Sequence, residues 1–227
     1  MKITWLGHSA FLIEENGKRV LVDPFITGND MAPVKPDEID CDIIAVTHGH
    51  GDHLGDAVFI SKRKNVPVVA IYEVAQYIAS KGANAIGMNF SGTYEQDGIK
   101  LSMVPALHSS GITESNFTHD GGIPAGFIIE INGKKVYHAG DTGLFGDMKI
   151  IGEIYKPDVA LLPVGGLFTM DPKLAAIAAR WIKPKYVIPM HYNTWPPITA
   201  NPEEMREDLE RDGIKLVVLK PGESFSF

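Results

Sequence analysis

The segment Thr47-His48-Gly49-His50-Gly51-Asp52-His53-Leu54-Gly55 contains four potential metal ligands within six residues. The apolar run at 42–46 precedes it and predicts a buried strand, so the cluster lies at a strand's carboxyl end. Imidazole and carboxylate groups are ligands of divalent first-row metals. Gly49 and Gly51 lack a Cβ, which lets the backbone fold tightly and direct neighbouring side chains inward. An exposed histidine-rich turn is the alternative, but three histidines, an aspartate and two spacer glycines favour a metal site.

Two segments 116 residues apart have nearly the same sequence. Residues 11–20 are Phe-Leu-Ile-Glu-Glu-Asn-Gly-Lys-Arg-Val, and residues 127–136 are Phe-Ile-Ile-Glu-Ile-Asn-Gly-Lys-Lys-Val. Each alternating run is interrupted by Asn-Gly and therefore predicts a β-hairpin. At the same offset, Asp42-Ile-Ile-Ala-Val matches Asp158-Val-Ala-Leu-Leu. Two unrelated hairpins with a common turn are the simpler alternative, but two matches at one offset favour a duplication.

The duplication predicts two similar halves, about 1–98 and 99–227, in one domain that covers residues 1–227. A looser match joins Leu6-Gly-His8-Ser9 to Ala106-Leu-His108-Ser109. No low-complexity linker separates the halves, so we expect them to pack into one body.

Helix signals occur between the predicted strands. They predict helices over 73–81, before Gly82, over 172–183, with Asp171 as N-cap, and over 202–212, after Asn201. Strands that alternate with helices predict an α/β fold with two mixed sheets back to back and the helices outside.

Composition excludes several classes of protein. Twenty-eight acidic and 21 basic residues give a net charge of −7, which argues against a nucleic-acid partner. Cys41 is the only cysteine, so the chain has no internal disulfide. Without an apolar run of about 18 residues or a signal peptide, we expect a cytoplasmic protein with no membrane partner.

The motif His48-x-His50-x-Asp52-His53 resembles the signature of the metallo-β-lactamase superfamily. The later family motifs follow in the expected order: Leu-Val-Asp23-Pro before it, then Ala-Leu-His108-Ser, Ala-Gly-Asp141-Thr-Gly and Ile-Pro-Met-His191-Tyr-Asn. Leu-Gly-His8-Ser and Gly-Gly-Leu-Phe-Thr-Met-Asp171-Pro resemble its small uncharacterised metal-dependent hydrolases, related to ascorbate-6-phosphate lactonase. The resemblance implies a four-layer αββα sandwich built from two similar halves.

The resemblance also implies a set of ligands for two divalent metal ions. His48, His50 and His108 would hold the first ion. Asp52, His53 and His191 would hold the second, and Asp141 would bridge the two. A catalytic zinc ion typically has three protein ligands and an open position, so this number of ligands suits two such ions. Zinc is the default, and manganese, iron or nickel would accept the same ligands.

The implied activity is that of a dinuclear metal-dependent hydrolase. A metal-bridged hydroxide would attack the carbonyl of a lactone, thioester or amide, or a phosphodiester centre, in a small metabolite. The candidate catalytic residues are Asp52, Asp141 and His8. His8 would face the metal cleft as a proton donor or substrate ligand, and a structural, hydrogen-bonded histidine is the alternative.

Other functions stay open at this stage. An iron-dependent redox enzyme on the same fold and an RNA-processing nuclease with a similar metal motif are the enzyme alternatives, and a metal-stabilised binding module is the non-enzyme alternative. We expect a small-molecule substrate, and a homo-oligomer is possible.

Supporting residues have less specific patterns. Asp23 would accept a hydrogen bond from a ligating histidine or shape the turn before Pro24. The loop 109–126 is long enough for a flap over the substrate. His119 and His138 are expected not to be ligands.

Overall fold

The computed structural model describes residues 1–227 and contains two large mixed β-sheets. The first sheet has seven strands: β1 (Lys2–Trp5), β2 (Phe11–Glu15), β3 (Lys18–Val22), β4 (Ile43–Ala45), β5 (Val68–Ile71), β6 (Ala85–Met88) and β16 (Ser224–Ser226). The second sheet also has seven: β7 (Thr93–Gln96), β8 (Ile99–Pro105), β11 (Ala125–Ile131), β12 (Lys134–His138), β13 (Val159–Pro163), β14 (Tyr186–Met190) and β15 (Lys215–Leu216). A separate hairpin pairs β9 (Ile112–Glu114) with β10 (Phe117–His119).

The helices are short and lie outside the sheets, as the sequence predicts for an αββα sandwich. They are α1 (Gly51–Leu54), α2 (Ala57–Lys64), α3 (Tyr72–Ser80), α4 (Met148–Tyr155), α5 (Pro172–Ile182) and α6 (Arg206–Arg211). Three 3₁₀ turns occur at Pro36–Glu38, Pro196–Ile198 and Pro202–Met205. None of the helices has both the length and the apolar character that crossing a membrane requires.

The two sheets have the same topology. Their spatial orders are β16-β1-β2-β3-β4-β5-β6 and β7-β8-β11-β12-β13-β14-β15. In each order the first three pairings are antiparallel and the last three are parallel. The predicted boundary near residue 98 differs from this arrangement, because β7 pairs with β8 in the second sheet and β16 returns to the first.

Both Asn-Gly segments form tight turns between antiparallel strands. Asn16 and Gly17 join β2 to β3 with φ angles of 50° and 76°. Asn132 and Gly133 join β11 to β12 with φ angles of 52° and 77°. Two successive positive φ angles are the conformation of a type I′ turn, whose twist matches that of the strands. The two predicted hairpins therefore have the same local structure.

The helix signals are confirmed with one difference. α3 ends before Gly82, which has a φ of 79°, and Asp171 Oδ1 accepts a hydrogen bond from the Leu174 amide at 2.8 Å at the start of α5. The segment predicted as one helix over 202–212 is a 3₁₀ turn followed by α6. Asn201 Oδ1 accepts from the Glu203 amide, only two residues ahead, which suits the tighter turn.

A single hydrophobic core includes strands of both sheets. The parallel strands β4, β5 and β13 are buried along their whole length, as expected when a sheet is covered on both faces. The segments that follow β4 and β13 both contribute residues to one cleft, His50 and Phe168.

Candidate metal centre

The predicted ligands all lie in segments that follow a strand. The segment 47–53 follows β4, His108 follows β8, Asp141 follows β12, and His191 directly follows β14. The structure brings these separate segments into three overlapping groups of close donor atoms: His48, His50 and His108; His8, Asp52, His53 and His191; and His48, His53 and Asp141. The first group equals the first predicted ligand set, and the second contains the second set together with His8.

Asp23 is the carboxylate that orients the cluster. It is fully buried, and its Oδ2 lies 2.7 Å from His53 Nδ1. The same carboxylate accepts hydrogen bonds from the Thr47 amide at 2.8 Å and the Thr47 hydroxyl at 2.7 Å. Since a carboxylate only accepts, His53 Nδ1 donates and Nε2 points toward the cluster. Asp23 therefore fixes His53 in the way that carboxylates fix metal-ligating histidines.

Thr47 links Asp23 to His48 and orients the His48 ring. The Thr47 hydroxyl donates to Asp23, so its oxygen can accept from His48 Nδ1, which lies 3.0 Å away. This leaves His48 Nε2 to face His50 Nδ1 at 3.0 Å. One buried carboxylate thus sets the orientation of two histidines, one from each predicted ligand set.

Asp141 lies at the centre of the cluster. Its Oδ2 is 2.9 Å from His191 Nε2, 3.3 Å from His53 Nε2 and 3.6 Å from His108 Nε2. Its other oxygen, Oδ1, is buried and has no hydrogen-bond partner. Asp141 therefore contacts members of both predicted ligand sets.

His8 is buried behind Asp52 and does not line the cleft. Its Nε2 lies 3.0 Å from Asp52 Oδ2, and its Nδ1 lies 2.7 Å from the Thr194 hydroxyl. Burial, which disfavours the charged ring, lowers the pKa of His8 to about 4. The neutral ring donates from Nε2 to the Asp52 carboxylate and accepts from Thr194 at Nδ1. This geometry makes His8 a positioning residue for Asp52, and its proton-donor role stays a prediction.

The histidines of the cluster divide into two electrostatic groups. Burial lowers the pKa values of His48, His50 and His108, which therefore present neutral rings. Burial also opposes the charge of His53 and His191, but nearby carboxylates outweigh it. Asp141 and Asp23 hold the pKa of His53 well above its usual value, and Asp141 is the main reason that the pKa of His191 rises to about 9.

The two carboxylates respond to the same charges. Burial opposes the ionised form of Asp141, but His53 and His191 outweigh it and hold its pKa well below the usual range. Burial also opposes ionisation of Asp52, whose pKa is nevertheless lowered by hydrogen bonds to His191 and His8. Both carboxylates are therefore ionised at neutral pH.

The donor atoms fit divalent metal ions. Zinc with bonds of about 2.0–2.1 Å to tetrahedral ligands places those ligand atoms about 3.3 Å apart. The separations within this cluster, from 2.9 Å to 3.7 Å, lie around that value. His53 Nε2, His191 Nδ1 and Asp141 Oδ1 are also buried without a hydrogen-bond partner. Buried polar atoms normally have hydrogen-bond partners. A bound metal ion would provide a partner for His53 Nε2 and for Asp141 Oδ1.

A cleft of about 270 Å³ gives access to the cluster. Its lining residues are His50, Asp52, His108, Ser109, Asp141, Phe168, His191 and Trp195. Trp195 lies four residues after the predicted ligand His191. Phe168 and Ser109 were not identified as site residues from the sequence. The available signal for Phe168 was an adjacent apolar pair, Leu167-Phe168, after two glycines, where a loop would usually be polar.

The segment 109–126 is a hairpin and not an open loop. Ser110 Oγ accepts from the Gly49 amide at 3.0 Å and donates to the Gly121 carbonyl at 2.8 Å. A Cβ on Gly49 would lie 2.5 Å from Ile112 Cγ1, so this glycine allows the close approach. Gly51 has no such neighbour, contrary to the expected role for both glycines. Ser109 is the residue of this segment that lines the cleft, and a covering role for the rest of the segment stays a prediction.

His138 connects the two sides of the site without being a ligand. Its Nε2 lies 2.9 Å from the Ser9 carbonyl, next to His8, and its Nδ1 accepts from the Gly140 amide at 3.1 Å, next to Asp141. His119 lies away from the cluster, on β10 beside Glu114. Both histidines are outside the three donor groups.

An αββα sandwich with histidines and aspartates at one edge of its sheets defines a protein of the metallo-β-lactamase class. Residues 2–191 match the family model described as the beta-lactamase superfamily domain. The chain belongs to this superfamily and, within it, to the UPF0173 metal-dependent hydrolases.

The relatives are similar along their whole length. A UPF0173 metal-dependent hydrolase of Methanosarcina barkeri is 56% identical over 225 residues, which cover 99% of this chain and 97% of the relative. One from Archaeoglobus fulgidus is 50% identical over 230 residues, covering 100% and 99%. Igni18, a metallo hydrolase from Ignicoccus hospitalis, has a similar solved structure, with a TM-score of 0.90, 42% identity and coverage of 100% and 98%.

Proposed function

We propose that this chain is a dinuclear metal-dependent hydrolase that cleaves a lactone, thioester, amide or phosphodiester bond in a small metabolite. Water would add across the scissile bond and give, for an acyl substrate, a carboxylic acid and the released alcohol, thiol or amine. The size of the cleft, about 270 Å³, supports a small substrate.

The position of Asp141 carries this proposal. Its Oδ2 is 3.6 Å from His108 Nε2, in the first predicted ligand set, and 2.9 Å from His191 Nε2, in the second. A single carboxylate in contact with both sets is the arrangement expected of a bridging ligand. His48, His50 and His108 would hold one ion, and Asp52, His53 and His191 the other.

The metal ions, with zinc as the first candidate, would supply Lewis acidity and a water molecule of lowered pKa. The chain's own residues would fix the geometry. Asp23 holds His53 and Thr47, while His8 holds Asp52 through a 3.0 Å hydrogen bond. Phe168 and Trp195 line the cleft and would contact the substrate.

Metal content per folded chain tests the proposal first. The protein is purified without chelator or an affinity metal, and bound metals are measured by elemental analysis. Two equivalents of zinc or manganese, together with hydrolysis of a p-nitrophenyl ester, a thioester, a lactone or bis-p-nitrophenyl phosphate, would support it. One equivalent of iron with redox-dependent spectra, tight salt-sensitive RNA binding, or no metal after reconstitution would contradict it.

A further inference from the structure

We propose that the cleft binds the apolar acyl group of a small, uncharged ester, thioester or lactone between Phe168 and Trp195. This inference rests on the proposed hydrolase function and narrows its substrate class. It disfavours phosphorylated metabolites, which the resemblance alone left open.

Two large apolar side chains line the cleft, and two exposed leucines are adjacent in sequence to cleft residues. Phe168 and Trp195 line it and are 53% and 38% exposed. Leu107, beside the predicted ligand His108, is 61% exposed, and Leu167, beside Phe168, is 74% exposed. A single exposed apolar side chain is ordinary, but a group of them at a functional cleft indicates a surface that binds apolar matter.

Backbone hydrogen bonds keep Phe168 at this position. The Thr169 amide donates to the Gly166 carbonyl at 2.7 Å, which closes a tight turn with Phe168 at its tip. The Met170 amide then donates to the Thr142 carbonyl at 3.2 Å, one residue after Asp141. The turn is therefore attached to the segment that carries the central carboxylate, and the exposure of Phe168 is built into the fold.

Trp195 is the second aromatic residue that lines the cleft. Its ring packs against His8 at 5.0 Å and against Phe25 at 5.9 Å between centroids. These contacts hold the indole in place, and it is still partly exposed where it lines the cleft. An acyl chain or a small ring placed there would contact a rigid apolar surface.

The charges of the cleft support an uncharged acyl group. Its lining contains histidines, aspartates, a serine and two aromatic residues, and neither lysine nor arginine. Phosphate groups in proteins are usually recognised by arginine, lysine or the amides of a helix N-terminus. The predicted metal ligands account for most of the polar lining of this cleft, so the remaining contact surface is the aromatic pair and the small side chain of Ser109.

A series of p-nitrophenyl esters tests the proposal by rate. The zinc-loaded protein is assayed with the acetate, butyrate and hexanoate esters, and kcat/KM is compared across the series. We expect the hexanoate ester to be at least tenfold better than the acetate ester. Phe168→Ala is expected to lower the hexanoate-to-acetate ratio of kcat/KM about tenfold, since the lost apolar contact acts on the longer chain.

Phe59→Ala is the matched control. Phe59 is 51% exposed, close to the value for Phe168, but lies on α2 and does not line the cleft. The hexanoate-to-acetate ratio should be the same in this variant as in the unaltered chain. An equal ratio in Phe168→Ala and Phe59→Ala would overturn the proposal.

Binding provides a readout that does not depend on turnover. Hexanoate, acetate and glucose 6-phosphate are titrated against tryptophan fluorescence, and Trp195→Phe assigns the signal to Trp195. We expect hexanoate to bind about tenfold more tightly than acetate and glucose 6-phosphate, and Phe168→Ala to remove the preference. Tighter binding of glucose 6-phosphate would overturn the apolar subsite. Hexanoate binding that depends on Phe168, with no substrate hydrolysed, would support the subsite and reject the proposed function.

Discussion

The two sides of the metal centre are held in different ways. On the side of the first sheet, four donors come from the single segment His48–His53, and the buried carboxylate of Asp23 orients that segment. On the side of the second sheet, the donors His108, Asp141 and His191 come from three separate segments. The first side is therefore a local motif fixed by a side chain, while the second is an assembly of strand ends.

Backbone contacts take the place of Asp23 on the second side. The Leu107 amide donates to Thr142 Oγ1 at 3.0 Å, and the Gly143 amide donates to the Leu107 carbonyl at 3.0 Å. The His191 amide donates to the His8 carbonyl at 3.0 Å, and both histidines have positive φ angles, 55° and 53°. Such angles are unfavourable for residues with a Cβ and persist only where the surrounding structure enforces them. The second side therefore depends on the packing of the whole fold.

Removal of the central carboxylate should have the largest effect, because Asp141 contacts donors from both sides. We expect Asp141→Ala to lower kcat/KM on the order of a thousandfold, as for loss of a group that stabilises charge in the transition state. Metal content should fall from two ions to one or fewer, with an unchanged circular dichroism spectrum. Asp52→Ala is the comparison, since Asp52 contacts only the second ligand set and His8, so it should leave one ion bound. Two ions retained in Asp141→Ala would mean that Asp141 does not bridge the two predicted ligand sets.

Asp23→Asn should weaken metal binding by the first side, the segment His48–His53. An amide can still accept from the Thr47 backbone, but its NH₂ group would oppose the Nδ1–H of His53. We expect a loss of about 10- to 100-fold in metal affinity, the usual effect of removing such a partner, measured by chelator competition. Asp56→Asn is the matched control, because Asp56 also accepts three hydrogen bonds, from the Ile26 amide, the Thr27 amide and the Thr27 hydroxyl, but touches no ligand. Equal losses of affinity in both variants would show that Asp23 acts only through general stability.

The pH dependence of the metal-free chain should also distinguish His191, whose pKa is raised, from His8, whose pKa is lowered. The pKa of His191 is raised to about 9, so its stabilising contribution is complete below pH 6.5 and is lost as the pH rises through 9. The pKa of His8 is lowered to about 4, so its contribution is complete above pH 6.5 and is lost as the pH falls toward 4. Stability should therefore be greatest near pH 6.5.

Urea unfolding of the chelator-treated chain between pH 4 and pH 10 measures this profile. The free energy of unfolding should fall less between pH 6.5 and pH 9 in His191→Gln than in the unaltered chain. The difference should be on the order of 1–3 kcal/mol, given the size of the pKa shift. The acidic side should change little in this variant. A profile that rises steadily from pH 6.5 to pH 9.5 would contradict the assignment of the proton to His191.

The same contrast explains what the sequence could predict. The first side was evident because its ligands are contiguous, and the Asn-Gly hairpins were evident because their turn requires these two residues. The donors of the second side were assigned through the family resemblance, since no local pattern marks a lone His108 or Asp141. The positions of Phe168 and Thr194 were not predictable, because they depend on how loops from distant parts of the chain pack. The same holds for the burial of His8 behind Asp52 and for the hairpin within 109–126.

The smallest expected effect concerns Asp171, which lies at the end of the turn that carries Phe168. Asp171→Ala removes the hydrogen bond from the Leu174 amide and should destabilise the fold by about 1 kcal/mol, as for loss of other helix N-caps. Activity should not change. The turn is attached to the segment after Asp141 by the hydrogen bond between the Met170 amide and the Thr142 carbonyl, and this bond precedes the cap in the chain. Urea unfolding and kcat/KM are measured on the same preparation, and Asp171→Asn, which retains a capping oxygen, should restore most of the stability. A parallel loss of activity in Asp171→Ala, restored in Asp171→Asn, would mean that the start of α5 also holds the second side of the metal centre.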